Sequence, residues 1–219
     1  MEEGEIASRY GLNIEKLKED QIKLAKTIEL KDKLDFDSIE RIGAIDTIIV
    51  QNKIIAVAIV CDKEFNVIEE QYFMDTLRFP YLFEFRSYRE MRSIIEAFNK
   101  LNEKPDVVFL KAHGVTHPRL GLASHFAIFT GIPSIGVADF LFDCDKVEDE
   151  DIIKDGKKVG KVLMSKEGSK PIYVSAGSFI SLASSLKLCK EFIREPHKLP
   201  EPLHLAHKYV KSVKAEMKI

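Results

Sequence analysis

Gly43-Ala44-Ile45-Asp46-Thr47-Ile48-Ile49-Val50 sets an acidic residue in the middle of what otherwise reads as a buried strand. Side chains of a strand alternate between its two faces, so Ala44, Asp46, Ile48 and Val50 share one of them. A carboxylate on an apolar face costs roughly several kcal/mol unless a cation or hydrogen bonds compensate it. Asp46 is therefore expected to be either a member of a buried ion pair or a metal ligand.

Outward from that run, Ile42 to Val50 is expected as a first strand. Lys53 to Cys61 follows it across Gln51-Asn52, which is hairpin spacing. Val67 to Met74 is a third strand, after the polar loop Asp62 to Asn66. Upstream, Asn13 to Ile28 reads as a helix with Ile14, Leu17, Leu24, Ala25 and Ile28 as its apolar stripe, capped by Asn13. Glu29 to Glu40 is a charged surface connection.

Downstream, Phe85 to Leu101 reads as a helix that buries Met91, Ile94, Ile95 and Phe98. Pro105 precedes a short strand, Asp106 to Leu110. Gly121 to Thr130 is a further helix, ended by Gly131 and Pro133, and Ser134 to Val137 is a strand. The two later strands need crossover connections, which makes them parallel to each other and to the first.

Three antiparallel strands followed by helix, strand, helix, strand is the order of the ribonuclease H-like fold. The expected architecture is α/β, a central mixed sheet flanked by helices. It forms one domain over residues 1–219 with an N-terminal helical extension. Asp155-Gly156-Lys157-Lys158 is expected to turn between polar strands, and Pro171 to Val174 to add another strand. Phe179 to Arg194 and Leu203 to Val213 close the chain as helices. The run Glu148-Asp149-Glu150-Asp151 reads as a solvated loop.

The 219 residues are 45% hydrophobic with a formal net charge of -2. That gives enough chain for a substantial core, and any basic groove must be local. Cys61, Cys144 and Cys189 are odd in number and lack metal-ligand spacing, which points to reduced thiols. No signal peptide shows at Met1-Glu2-Glu3-Gly4-Glu5, and no apolar run is long enough for a bilayer. A soluble cytoplasmic protein without a membrane partner is expected.

Four polar positions are placed to meet at one end of the sheet. Asp46 lies on the first strand. Glu90 precedes Ile94, Ala97 and Leu101 at helical spacing, so it lies on the inward side of its helix. Lys111 directly follows Val107-Val108-Phe109-Leu110, and Asp139 follows Ile135-Gly136-Val137. Ligands of open α/β sheets gather at such carboxyl ends. Clustered carboxylates can hold Mg²⁺, and the alternative is a salt-bridge cluster in which Lys111 neutralises Asp46.

Lys111-Ala112-His113-Gly114-Val115-Thr116-His117-Pro118-Arg119 reads as a loop, because Gly114 and Pro118 argue against a helix with a two-histidine metal face. It is either a phosphate-contacting loop or a hydrogen-bonded structural one. Phe79-Pro80-Tyr81-Leu82-Phe83 is core or, if exposed, a wedge between bases. His204 and His207 read as surface positions of the last helix.

At these residues the chain resembles the endonuclease V family, metal-dependent nucleases that cut near deoxyinosine in DNA, or inosine in RNA in some members. The resemblance runs from about Asn13 to Tyr209. Its most specific piece is His113-Gly114-Val115-Thr116-His117-Pro118-Arg119 with Gly121-Leu122-Ala123-Ser124-His125, where the family shows His-Gly-Ile-Ala-His-Pro-Arg and Gly-Leu-Ala-Ser-His. Phe79-Pro80-Tyr81, Arg89-Glu90, Pro133 to Ala138, Val174 to Gly177 and Leu199-Pro200-Glu201-Pro202 support it.

The resemblance implies a phosphodiester hydrolase of DNA repair that acts on DNA or RNA, single-stranded or distorted at a modified base. It implies Mg²⁺ or Mn²⁺ held by Asp46 and Glu90, Tyr81 as strand wedge, and His113, Gly114, His117 and Arg119 near the substrate. Several positions depart from the family pattern. Lys111 replaces the second metal-binding aspartate, Asp139 replaces a lysine, and Ser178 replaces a histidine. Phe83 and Glu84 replace Pro-Gly of the wedge, and Ala112 a glycine. Lys111 and Asp139 together look like a charge swap, in which Asp139 becomes the third metal ligand. The opposite outcome is a catalytically silent scaffold that binds nucleic acid or a protein partner.

Overall fold

The computed structural model describes residues 3–142 and 146–217; Met1, Glu2 and Cys144 of the readings above lie outside the described residues. Helices α1 (Glu3–Arg9) and α2 (Ile14–Ala25) open the chain. The three strands β1 (Ile42–Val50), β2 (Lys53–Cys61) and β3 (Val67–Thr76) follow. Then come α3 (Arg86–Asn99), β4 (Val107–Leu110), α4 (Leu122–Thr130) and β5 (Ser134–Ala138). The remaining elements are β6 (Lys146–Glu148), β7 (Asp151–Lys154), β8 (Lys157–Leu163), β9 (Ile172–Ser178), α5 (Leu182–Glu191) and α6 (Glu201–Glu216).

Among the described residues, one sheet holds all nine strands in the order β3-β2-β1-β4-β5-β9-β8-β7-β6. β4 runs parallel to β1 and β5 parallel to β4, while β2, β3 and β9 pair antiparallel. This is the mixed sheet that the sequence order implied. Alternation along the strands sorts the core into two layers. Ile42, Ala44, Ile55 and Val57 pack with Leu203, Ala206, Val210 and Val213 of α6. Ile45, Ala56, Ala58 and Val60 pack with Met91, Ile94, Ala97 and Phe98 of α3 and with Phe126 of α4. Each such large apolar side chain contributes about 1.5–3 kcal/mol on burial.

One registration detail creates the site. β1 pairs with β4 only from Ile42↔Val107 to Ile45↔Leu110, yet continues with β2 as far as Val50↔Lys53. β4 ends at Leu110 and β5 at Ala138, so the edge of β1 beyond Ile45 is left unpaired on that side.

The structure differs from the sequence reading at several places. α5 starts at Leu182, not Phe179. Phe179 has φ 61°, outside the helical region, and the Ser181 hydroxyl caps the helix by accepting from the Ser184 N–H at 3.1 Å. The acidic run forms a hairpin, with Asp149 and Glu150 at its tip at positive φ and Lys158 2.7 Å from Asp151. α1 and β6 carry too few apolar residues to give a periodic signal. Cys61 and Cys189 are buried and free, and burial pushes each thiol up to about 12. Among the described residues, no helix is long and apolar enough to cross a membrane.

Candidate active site

Beyond Ile45 the edge of β1 opens on a pocket of about 240 Å³, lined by Asp46, Thr47, Arg86, Lys111, His113 and Asp139 among others. Asp46 is 4% exposed. Its Oδ1 accepts from the Thr47 N–H at 2.8 Å, and its Oδ2 accepts from His207 Nδ1 at 2.7 Å. His207 is thus no mere surface residue, as the sequence reading had it. α6 lies across the face of β1 that carries Ala44, Asp46 and Ile48, and His207 borders the stripe of Leu203, Ala206 and Val210. That spacing was the signal: one position past Ala206 and four past Leu203 places a side chain at the margin of the buried face.

Glu90 is also 4% exposed and faces β1, but its strand partner is Thr47 rather than Asp46. Adjacent strand residues point to opposite faces, so Asp46 turns toward α6 and Thr47 toward α3. Thr47 Oγ1 donates to Glu90 Oε2 at 2.8 Å. Arg86, one turn earlier on α3, clamps the same carboxylate, Nε to Oε1 at 2.7 Å and Nη2 to Oε2 at 3.0 Å. A third guanidinium nitrogen donates to the Lys111 carbonyl at 2.9 Å. Two parallel charge-assisted bonds of this kind fix both partners. Burial pulls the Arg86 guanidinium down, but the charge and hydrogen bonds of Glu90, then Asp46 and Asp139, leave it above its ordinary value.

One of the two alternatives read from the sequence had Lys111 neutralising Asp46. Instead its Nζ lies 3.6 Å from Asp139 Oδ2, and Lys198, from the segment before α6, lies 3.5 Å from Oδ1. The two strand ends are adjacent, as the charge-swap reading required, but Asp139 turns to the lysines rather than to Asp46. Sequence reasoning missed Arg86, Thr47, Lys198 and His207.

The donor set, as arranged, does not fit a divalent ion. Both oxygens of Asp46 and both of Glu90 accept hydrogen bonds, which leaves lone pairs free, so the charge balance decides the fit. Three cations, Arg86, Lys111 and Lys198, accompany three carboxylates, Asp46, Glu90 and Asp139, which leaves no net negative charge for such an ion to balance. Among the described residues, the set of three metal-capable side chains with donor atoms within 4.8 Å of one another is His197, Glu201 and His204, outside this pocket.

The loop after β4 is packed inside. His113 and His117 are each 6% exposed. His113 Nε2 donates to the Phe140 carbonyl at 2.8 Å, and its ring lies against Phe140 and Phe142. Burial lowers His113 to about 4, against the Phe140 hydrogen bond, which raises it. His117 falls to about 3 through burial, helped by the charges of His113, Arg119 and Lys154. Gly114 lies so close to β9 that a Cβ there would sit 2.1 Å from the Ala176 carbonyl oxygen. Arg119 donates to Gln21 at 2.7 Å and pairs with Glu84 at 2.5 Å. Of these four loop residues His113 alone lines the pocket. Ser178 is buried and accepts from the Glu29 N–H at 2.9 Å, holding the connection before β1.

The aromatic run before α3 is partly exposed. Tyr81 is 65% exposed with the Arg89 guanidinium 5.4 Å from its ring centroid. Phe83 is half exposed, stacks on Phe140 and lies tilted against Phe142, which carries an aromatic surface to the pocket rim.

Against known proteins, a family model described as Endonuclease V matches residues 22–208. The endonuclease V of Thermosipho melanesiensis is 35% identical over 207 residues, covering 87% of this chain and 91% of that protein. That of Archaeoglobus fulgidus is 27% identical over 212 residues, covering 94% and 96%. The crystal structure of endonuclease V from Bacillus subtilis superposes with a TM-score of 0.86 at 30% identity over 94% of each chain. Endonuclease V of Ciona intestinalis, solved with a 24mer DNA containing an inosine, has a TM-score of 0.85 at 22% identity, covering 93% and 98%.

Proposed function

Because the chain belongs to the endonuclease V family, we propose that it engages nucleic-acid strands at a modified base of the inosine type, and that its pocket holds the backbone with cations supplied by side chains rather than by a bound metal. The observation that carries this reading is the partnering of every pocket carboxylate: Asp46 by His207, Glu90 by the Arg86 fork, Asp139 by Lys111 and Lys198. Lys111 and Lys198 are partly exposed and can exchange the Asp139 carboxylate for phosphate when a strand arrives, while the Arg86 fork stays on the buried Glu90. Tyr81 stands ready to stack on a base, and Phe83 and Phe140 continue an apolar wall. The Ciona enzyme of the same fold is seen with inosine-containing DNA, which supports the choice of ligand. Two free, buried thiols fit a reducing compartment such as the cytoplasm.

A second reading, metal-dependent cleavage at Asp46, Glu90 and Asp139, is favoured by one observation. Asp139 is 49% exposed and held only at 3.5–3.6 Å, so it is free to turn.

A labelled single strand with one inosine separates the two. The expected result is binding without cleavage in Mg²⁺ or Mn²⁺, and cleavage gained in Arg86→Leu/Lys111→Asp. Binding should weaken by about tenfold or more between low and physiological salt, as phosphate contacts require. Metal-dependent cutting by the parent chain, abolished in Asp46→Asn, overturns the first reading. Calorimetric Mg²⁺ titration with Asp139→Asn as control tests the second, and no heat from either protein removes it.

A further inference from the structure

The segment before α6 and the first turn of that helix bring together two imidazoles and a carboxylate. We infer that His197, Glu201 and His204 form a binding site for a divalent transition metal of the zinc type, separate from the pocket at Asp46. Their donor atoms all lie within 4.8 Å of one another. His197 Nδ1 is 2.7 Å from Glu201 Oε2, and the two histidine rings stand 3.5 Å apart at 13°. Nitrogen and oxygen ligands about 2.0–2.1 Å from a tetrahedral ion are roughly 3.3–3.4 Å from each other, so small side-chain movements suffice. One movement is obligatory. An ion lies in the plane of each imidazole it binds, so one stacked ring must turn about its Cβ–Cγ bond.

The backbone carrying these donors is fixed in advance. Glu201 and His204 are three apart on one helix face. The Glu201 N–H donates to the Phe192 carbonyl and the His197 N–H to the Arg194 carbonyl, each at 2.7 Å, and Ile193 bridges to Pro200. Pro202 and Leu203 are buried beneath. Two imidazoles with one carboxylate favour zinc, nickel, cobalt or copper over magnesium. Three protein donors leave a fourth position for water, and His197 also lines a pocket of about 400 Å³ with Met164 to Glu167 and Glu195.

The location gives the ion a role. Lys198, adjacent to His197, reaches Asp139, and His207, one turn past His204, holds Asp46. An ion here ties down both contributors of the C-terminal region to the pocket.

The test uses the full chain, freed of any histidine tag and stripped of metal, titrated with Zn²⁺ by calorimetry. One equivalent should bind in the micromolar range or tighter. Binding should be unchanged in Asp46→Asn, weakened at least about tenfold in His204→Ala and lost in His197→Ala/His204→Ala. Zn²⁺ should also raise the melting temperature of the parent chain and not of the double variant. No Zn²⁺ binding by the parent, or a full equivalent retained by the double variant, overturns the assignment. If the double variant melts early, the parent is loaded with Co²⁺ instead. Visible bands of histidine-bound cobalt that vanish in Glu201→Gln or His204→Ala sustain the site, and their absence from the parent rejects it.

Discussion

His113 and His117 sit in the interior as neutral rings, which ties folding to pH. Their ordinary value is 6.5, and the fold lowers them to about 4 and about 3. Above pH 6.5 both are neutral, folded or unfolded, and their contribution to stability is complete. As pH falls below 6.5, the unfolded chain binds protons that the folded chain cannot, so stability drops until the folded values are reached. The slope is at most roughly 1.4 kcal/mol per pH unit for each histidine. Urea unfolding between about pH 7 and 4 should show the midpoint falling with pH, with a shallower fall in His117→Gln. An unchanged midpoint across that window contradicts the assignment. From sequence, these histidines stood as candidates for substrate contact, because residue type speaks of chemistry and not of depth. Nothing local to His113 announces that Phe140 and Phe142 close over it.

Among the elements, β1 and β2 were legible to their end residues. Their apolar runs are bounded sharply, by Gln51-Asn52 between them and by Asp62 after the second. α2 begins where its cap is written, with Asn13 Oδ1 accepting from the Lys16 N–H at 3.0 Å. Asn13→Ala should cost about 1 kcal/mol and Asn13→Gly only a few tenths, measured by denaturant unfolding. The start of α5 was not legible, since the left-handed backbone at Phe179 depends on a tertiary bond, its N–H donating to the Glu29 carbonyl at 2.7 Å. Gly114 shows the same limit from the other side. A glycine in a loop suggests freedom, but here it marks contact, with no room for a methyl group against the β9 backbone. Gly114→Ala should therefore destabilise by about 1–3 kcal/mol or more, because backbone rather than a flexible side chain must yield. Equal melting temperatures for the two proteins would show that the loop stands off the strand.

Across the whole molecule, the order of the first five strands and the convergence of Asp46, Glu90, Lys111 and Asp139 on one end followed from strand counting and crossover rules. The pairing among them did not. Arg86, Lys198 and His207 decide it, and they arrive from three separate segments, of which only that of His207, at the margin of the α6 apolar stripe, carries a local signal. The outer surface bears its own test. Tyr81 projects from the segment before α3 with the Arg89 guanidinium against its ring. Tyr81→Ala should weaken binding of an inosine strand by about 1–3 kcal/mol, with Tyr81→Phe near the parent and all three melting alike. Fluorescence anisotropy measures this, and equal affinity for Tyr81→Ala would place the strand elsewhere.

The bond between Asp46 and His207 spans 161 positions. A ribosome therefore makes the acid long before its imidazole partner. Until α6 emerges and docks, a nascent chain displays Asp46 among bare Ile42, Ala44 and Val57, a sticky half-built surface of the kind that chaperones shield. Translation that stalls before Pro200 leaves the pocket roofless, whatever the quality of the sheet already formed.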